Sequence, residues 1–223
     1  MGESLADRLA GVDARIADAA REAGAPLPTR IVVTKFHPAA LVRELVGLGV
    51  RDVGENRHQE AVAKAAEVAD PRLVWHFVGQ LQSNKARAVR RYAATVHSVD
   101  RPSLVDGLSA ADGVELGVFL EIDLSGEPGR GGVAPEGAEV LAERVLAAPG
   151  LRLLGVMGVA PLGAAPRPAF ARLRAVSERI RSLEPRAAAI SAGMSGDFRE
   201  AILEGATHLR IGTAITGNRP TPG

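Results

Sequence analysis

The chain has 223 residues, 46% of them hydrophobic and 24% charged, with a formal net charge of +1 and no cysteine. That length can bury a substantial core in one barrel-type domain or two small ones, and the near-neutral charge gives no electrostatic case for a nucleic acid or membrane-surface partner. The lack of cysteine removes disulfides, thiolate metal sites and cysteine nucleophiles, and fits the cytosol.

The acids Glu3 and Asp7 and the missing apolar core distinguish the N-terminus from a secretory signal. The most apolar region, residues 153–166, is interrupted by Gly and Pro and falls short of a membrane span. A cytoplasmic location is therefore expected.

Residues 4–23 read as a helix, with Ser4 as N-cap and Leu5, Leu9, Val12 and Ile16 on one face. After Gly24-Ala25-Pro26, strand patterns at 30–35, 51–54, 73–78, 95–99, 115–123, 152–157, 188–191 and 208–211 follow. Helical patterns at 39–48, 59–68, 84–92, 103–110, 136–147, 169–183 and 198–204 alternate with them. Strands of unbroken apolar character separated by helices predict a parallel sheet buried on both faces. An open doubly wound sheet would carry a Gly-rich turn after its first strand, where this chain has Lys35-Phe36-His37-Pro38. The better expectation is an α/β protein with a closed (β/α)8 TIM barrel, residues 1–223 forming a single domain. No final helix is evident after the eighth strand, so the extra N-terminal helix is expected to fill that gap. Residues 125–135 read as a mobile loop; Gly129-Arg130-Gly131-Gly132 looks like a phosphate cradle but lacks the following lysine or helix start.

Lys35 ends the apolar run of the first strand. Only three lysines stand against 24 arginines. Lysine, unlike arginine, can lose its proton when desolvated and attack a carbonyl to form a Schiff base. The plainer alternative is a strand-end lysine reaching for solvent. In such barrels reactive groups sit at the C-terminal strand ends, and loops after strands seven and eight often bind phosphate. Here those corners are Ser191-Ala192-Gly193-Met194-Ser195-Gly196-Asp197 and Arg210-Ile211-Gly212-Thr213. Small residues let backbone N–H groups approach an anion, and Ser195 adds a donor; alone, each corner is an ordinary turn. Asn56 could hold a ligand hydroxyl or ring, His76 reads first as a core hydrogen-bonding residue, and Met157 as packing. The five histidines show no paired ligand spacing, so no metal site is expected.

Val33-Thr34-Lys35, Gly54-Glu55-Asn56-Arg57, Trp75 through Lys85, Gly193-Met194-Ser195-Gly196-Asp197 and Arg210 through Ile215 together resemble the pyridoxal phosphate homeostasis protein family. Its members are single-domain relatives of the alanine racemase barrel. The resemblance spans nearly the whole chain in order, and the Trp75–Lys85 stretch is its most specific piece.

It implies that pyridoxal 5′-phosphate (PLP) is the cofactor, held as a Schiff base on Lys35. Ser195, Gly212 and Thr213 would bind its phosphate, Arg210 would face the pyridine nitrogen, and Asn56 would lie near the ring. An arginine there keeps that nitrogen unprotonated and weakens carbanion chemistry. Related racemases nevertheless keep the arginine and add a tyrosine opposite their lysine. This chain's one tyrosine, Tyr92, falls inside a surface-helix pattern.

The resemblance therefore implies a non-catalytic PLP carrier in vitamin B6 homeostasis, with PLP-dependent apoenzymes as recipients. Weak racemase activity, or a true amino-acid racemase, is the alternative. A Schiff-base aldolase acting on a phosphorylated sugar is a third reading. A monomer is expected. Gly158-Val159-Ala160-Pro161, Thr216-Gly217-Asn218-Arg219 and Asp123 depart from the usual family wording; Thr216 stands where a large aromatic is common, which alters the packing expected at the ring edge, but none removes an expected cofactor contact.

Overall fold

The computed structural model describes residues 3–127, 129 and 131–218. Helix α1 (Leu5–Ala23) leads into the alternation β1 (Thr29–Val33), α2 (Ala39–Gly47), β2 (Asp52–Glu55), α3 (His58–Val68), β3 (Val74–Phe77), α4 (Ala86–Val89), β4 (Thr95–Val99) and α5 (Pro102–Leu108). The second half continues with β5 (Leu116–Ile122), α6 (Ala138–Ala147), β6 (Leu151–Gly158), α7 (Pro166–Leu183), β7 (Ala189–Ser191), α8 (Phe198–Leu203), β8 (His208–Ile211) and α9 (Thr213–Thr216). The strands pair in sequence order and close as a barrel, β1 lying parallel to β8 from Thr29 opposite His208 to Val32 opposite Ile211.

The two-residue period of a strand divides each one between the helix layer and the barrel interior. Val32, Val53, Phe77, Val96, Val118, Val156, Leu209 and Ile211 are buried in the main hydrophobic core, which includes the inner faces of the helices. Residues of the other parity turn inward, and many are polar or small: Asp52, Gly54, His76, His97, Phe119, Glu121, Ser191, His208 and Arg210. Inside, His97 stacks on Phe119 at 4.5 Å between centroids, and Phe119 meets the His208 ring at 5.2 Å. Continued past the strand ends, the same parity carries Lys35, Asn56 and Gly212 to the barrel mouth.

Helix α1 begins at a reciprocal cap: the Asp7 N–H donates to Ser4 Oγ at 3.1 Å, and the Ser4 N–H donates to Asp7 Oδ2 at 3.2 Å. Gly24 ends it at φ 61°, where a side chain would be strained. As expected, this helix fills the ring's gap, packing against α8 and α9. Arg8 Nε donates to the Ile215 carbonyl at 2.7 Å.

Three expectations change. The chain does form a last helix, the single turn α9. Residues 84–92 form a 3-10 turn, Ser83–Lys85, and the one-turn α4 rather than a continuous helix, and Tyr92 lies in the turn beyond. The described part of the stretch after β5 is loop, as expected, and Val133 returns to the strand: the Asp123 N–H donates to the Val133 carbonyl at 2.9 Å and the Val133 N–H to the Glu121 carbonyl at 2.8 Å. Of the residues singled out there and at the C-terminus, Arg130 and Arg219 lie outside the described residues. Finally, β1 stops at Val33, so Lys35 stands in a turn rather than on the strand.

Candidate functional site

The turn carrying Lys35 is built on Thr34, which is fully buried. Its N–H donates to the Gly54 carbonyl at 2.9 Å, and its hydroxyl donates to Glu55 Oε1 at 2.6 Å. Its carbonyl accepts from Lys64 Nζ at 2.7 Å, and the same ammonium lies 2.7 Å from Glu55 Oε1. The buried lysine of this protein is thus Lys64, on α3, and not Lys35. Burial pushes the Glu55 carboxyl up, against the lowering effect of Lys64 and Thr34. Phe36 follows at φ 69°, a strained value for a side-chain-bearing residue, and its N–H donates to Glu60 Oε2 at 3.0 Å. Lys35 itself is exposed, its Nζ 6.0 Å from the centre of the Phe36 ring. Reasoning from a desolvated strand-end amine therefore does not apply.

All six residues singled out from the sequence nevertheless line one cavity. Lys35, Asn56, Ser195, Arg210, Gly212 and Thr213 surround a space of about 280 Å³ at the C-terminal ends of the strands, with Val33, Val78, Val159, Met194 and Gly196 between them. A larger cavity, about 730 Å³, opens at the opposite end against α1, lined by the strand-start residues Thr29, Arg30 and Asp52 among others. The six residues named from the sequence all line the smaller one.

Each wall has a local cause. Gly79, two residues past β3, packs against Asn56: a Cβ there would lie 2.2 Å from the Asn56 carbonyl oxygen and 2.7 Å from its Cα. Asn56 Oδ1 is buried without a hydrogen-bond partner. Gly193, at φ 88°, lets the strand-seven corner fold against α8, where a Cβ would meet Ala201 Cβ at 2.7 Å. Ser195 Oγ, in that corner, accepts from the Ala214 N–H at 3.2 Å and from Thr213 Oγ1 at 3.4 Å. Gly196 has open space on its side-chain face. The two corners thus form one donor-rich pocket wall.

Arg210 is only 5% exposed. Its NH1 donates to Ser191 Oγ at 2.6 Å and its NH2 to the Gly158 carbonyl at 3.0 Å. Burial lowers its pKa to about 10, with Glu121 and Asp197 opposing, so it stays a cation at neutral pH. Glu121 Oε2 is buried and has no hydrogen-bond partner. Burial pushes its carboxyl up to about 7; Asp100 adds to that rise, while Arg210 and Arg101 oppose it.

Tyr92 does not line the cavity; it is half-buried, its OH 3.5 Å from His58 Nδ1, and burial raises its pKa. Met157 is packing, as expected, at 2% exposure. Among the described residues, no group of three or more metal-ligating side chains occurs, and no helix is long and apolar enough to cross a membrane.

The alanine racemase N-terminal domain family matches residues 9–220. A pyridoxal phosphate homeostasis protein of Pseudomonas aeruginosa is 45% identical over 224 residues, covering 97% of this chain and 96% of that relative. This chain belongs to the pyridoxal phosphate homeostasis protein family. Among solved structures, an unknown protein from Bifidobacterium adolescentis matches with a TM-score of 0.88 at 32% identity, over 95% of this chain and 94% of that one. PipY of Synechococcus elongatus, in a structure with PLP bound, matches with a TM-score of 0.81 at 32% identity, over 96% of this chain and 100% of that one.

The family's Gly-Glu-Asn-Arg segment acquires a physical meaning here: Glu55 anchors the lysine turn through Thr34 and Lys64, while Asn56 faces the cavity. Sequence reading singled out Lys35 and gave Lys64 and its partner Glu55 no role. Their strand-to-helix spacing of nine residues carries no signal without the barrel.

Two expectations follow. Lys64→Met leaves the Glu55 carboxylate buried and unpaired, and should lower stability by about 3–5 kcal/mol in urea unfolding at pH 7. Glu121 should retain its proton at pH 6 and release it as pH rises through about 7, read by carbon NMR of its carboxyl. Because its folded pKa lies above the unfolded one, the native state holds more protons between about pH 4.5 and 7. Wild type should therefore lose stability relative to Glu121→Gln across that window, by up to about 1.4 kcal/mol per pH unit.

Proposed function

We propose that this protein is a reversible holder of PLP in vitamin B6 homeostasis, with the cofactor linked covalently to Lys35. The observation carrying this reading is the meeting of an amine, a buried cation and a donor-rich corner on one 280 Å³ cavity. The fit is chemical. Asn56 Oδ1 is a buried acceptor without a partner, which costs about 1–3 kcal/mol until a donor-bearing ligand meets it. Ser195, Thr213 and the open backbone at Gly196 suit a phosphate. Lys35 suits an aldehyde. Bound PLP supplies an electrophilic aldehyde carbon and an electron-withdrawing ring.

The protein's own residues set what that chemistry becomes. Arg210 is fixed by Ser191 and Gly158 and can only donate, so it keeps the atom it faces unprotonated. Lys35 is exposed, so water and incoming amines can reach the link and reverse it. That favours holding and release over turnover. The reading is of a single cofactor-holding unit, non-catalytic, cytoplasmic and monomeric, handing PLP to apoenzymes. Absence of α-deuterium exchange into free amino acids at useful turnover supports it; efficient exchange would replace it with a racemase.

Lys35→Ala should abolish the covalent absorbance band of the PLP-loaded protein and its trapping by borohydride, while the unfolding midpoint stays near that of wild type. Persistence of the trapped adduct would remove Lys35 from this role. Ser195→Ala deprives the Ala214 N–H and the bound anion of a partner, and should weaken PLP retention by about 1–3 kcal/mol in equilibrium dialysis.

A further inference from the structure

Arg210 is also the end of a hydrogen-bond chain that crosses the barrel interior. Ser191 Oγ, 2.6 Å from Arg210 NH1, lies 2.9 Å from His97 Nδ1. His97 Nε2 lies 3.0 Å from His76 Nδ1, and His76 Nε2 lies 3.0 Å from Asp52 Oδ1. Ser191 and His97 are fully buried and His76 is 4% exposed, whereas the Asp52 side chain is 29% exposed at the opposite mouth. The chain thus joins a buried cation beside the cofactor cavity to a carboxylate at the far end of the barrel.

Chemistry at the two ends allows only one proton arrangement when both rings are neutral. Arg210 can only donate and an ionised Asp52 can only accept. His76 must then carry its proton on Nε2, leaving Nδ1 to accept from His97 Nε2–H. His97 Nδ1 is left to accept the Ser191 hydroxyl proton, and Ser191 Oγ accepts from Arg210. All four bonds point from the guanidinium toward the carboxylate. Phe119, stacked on His97 at 4.5 Å, occupies one face of that ring.

We propose that Asp52, His76, His97 and Ser191 form a one-way relay of positioning residues that fixes the Arg210 guanidinium toward the cofactor. The inference rests on the PLP-holding reading for its consequence, but the relay itself can be read without cofactor. Adding a proton to either ring reverses it: His97 then donates from Nδ1, and the Ser191 hydroxyl proton is released from its acceptor. The groups governing that reversal are Asp52 on β2, Arg210 and His208 on β8, and Glu121 on β5. Burial holds His97 well below the ordinary imidazole range, which opposes reversal near neutrality, and His208, held at about 4, adds no charge there.

Nitrogen-15 NMR of the PLP-free full chain at pH 7.5 tests the relay directly. Both His76 and His97 should show protonated Nε2 and bare Nδ1. The opposite tautomer in either ring, or a charged ring, overturns the proposal. Asp52→Asn has nearly the same shape but can present either an acceptor or a donor, so the two rings should show mixed tautomers. In that variant PLP affinity should fall by about tenfold, the scale of one charge-assisted hydrogen bond, and the absorbance of bound PLP should shift. Asp52→Glu should restore both. Correct tautomers with unchanged affinity and spectrum in Asp52→Asn would reduce the relay to packing and overturn its positioning role. Failure of wild type to bind PLP at all would instead strike the function proposed above, leaving the tautomer result standing by itself.

Discussion

A cation inside a closed parallel barrel is the constraint around which the interior is arranged. Arg210 is 5% exposed, and a guanidinium so placed must spend its donors on protein acceptors or on a ligand. The structure supplies Ser191 Oγ and the Gly158 carbonyl. Most barrels of this type fill their interior with branched apolar side chains. Here the rings of His76, His97, Phe119 and His208 pack against one another inside, so polar satisfaction as well as packing fixes the interior.

A second buried charge, on Lys64, works from outside the barrel wall. Through Thr34 and Glu55 it locks the turn that follows β1, and so sets where the neighbouring Lys35 emerges. Lys35 can then remain solvated, because its placement comes from the residue before it. The division is physical: one lysine is buried and paired, and the other is exposed at the cavity.

Much of this was legible in the sequence. The number and order of strands, the closing role of α1 and the six cavity residues followed from alternating patterns and from a specific family resemblance. Boundaries were less legible where a turn, rather than hydrophobicity, ended an element. Val33-Thr34-Lys35 reads as continuous strand, yet the strand ends at Val33 and the turn that follows passes through Phe36 at φ 69°. Tyr92 looked helical because its neighbours have helical spacing, yet the segment ends one turn earlier. The glycine-rich stretch after β5 read as a loop, but composition could not reveal that Val133 pairs back onto the strand.

Local patterns alone determined that this is a parallel α/β chain with polar groups at its strand ends, because side-chain alternation and turn chemistry are properties of neighbours in sequence. Parity could also have placed Asp52, His76, His97, Ser191 and Arg210 on the same inner face. Only the closed barrel decided that they touch in a line, since those contacts join residues 19 to 94 positions apart. Hydrogen bonds operate at about 3 Å, and no pattern along the chain specifies that distance between strands.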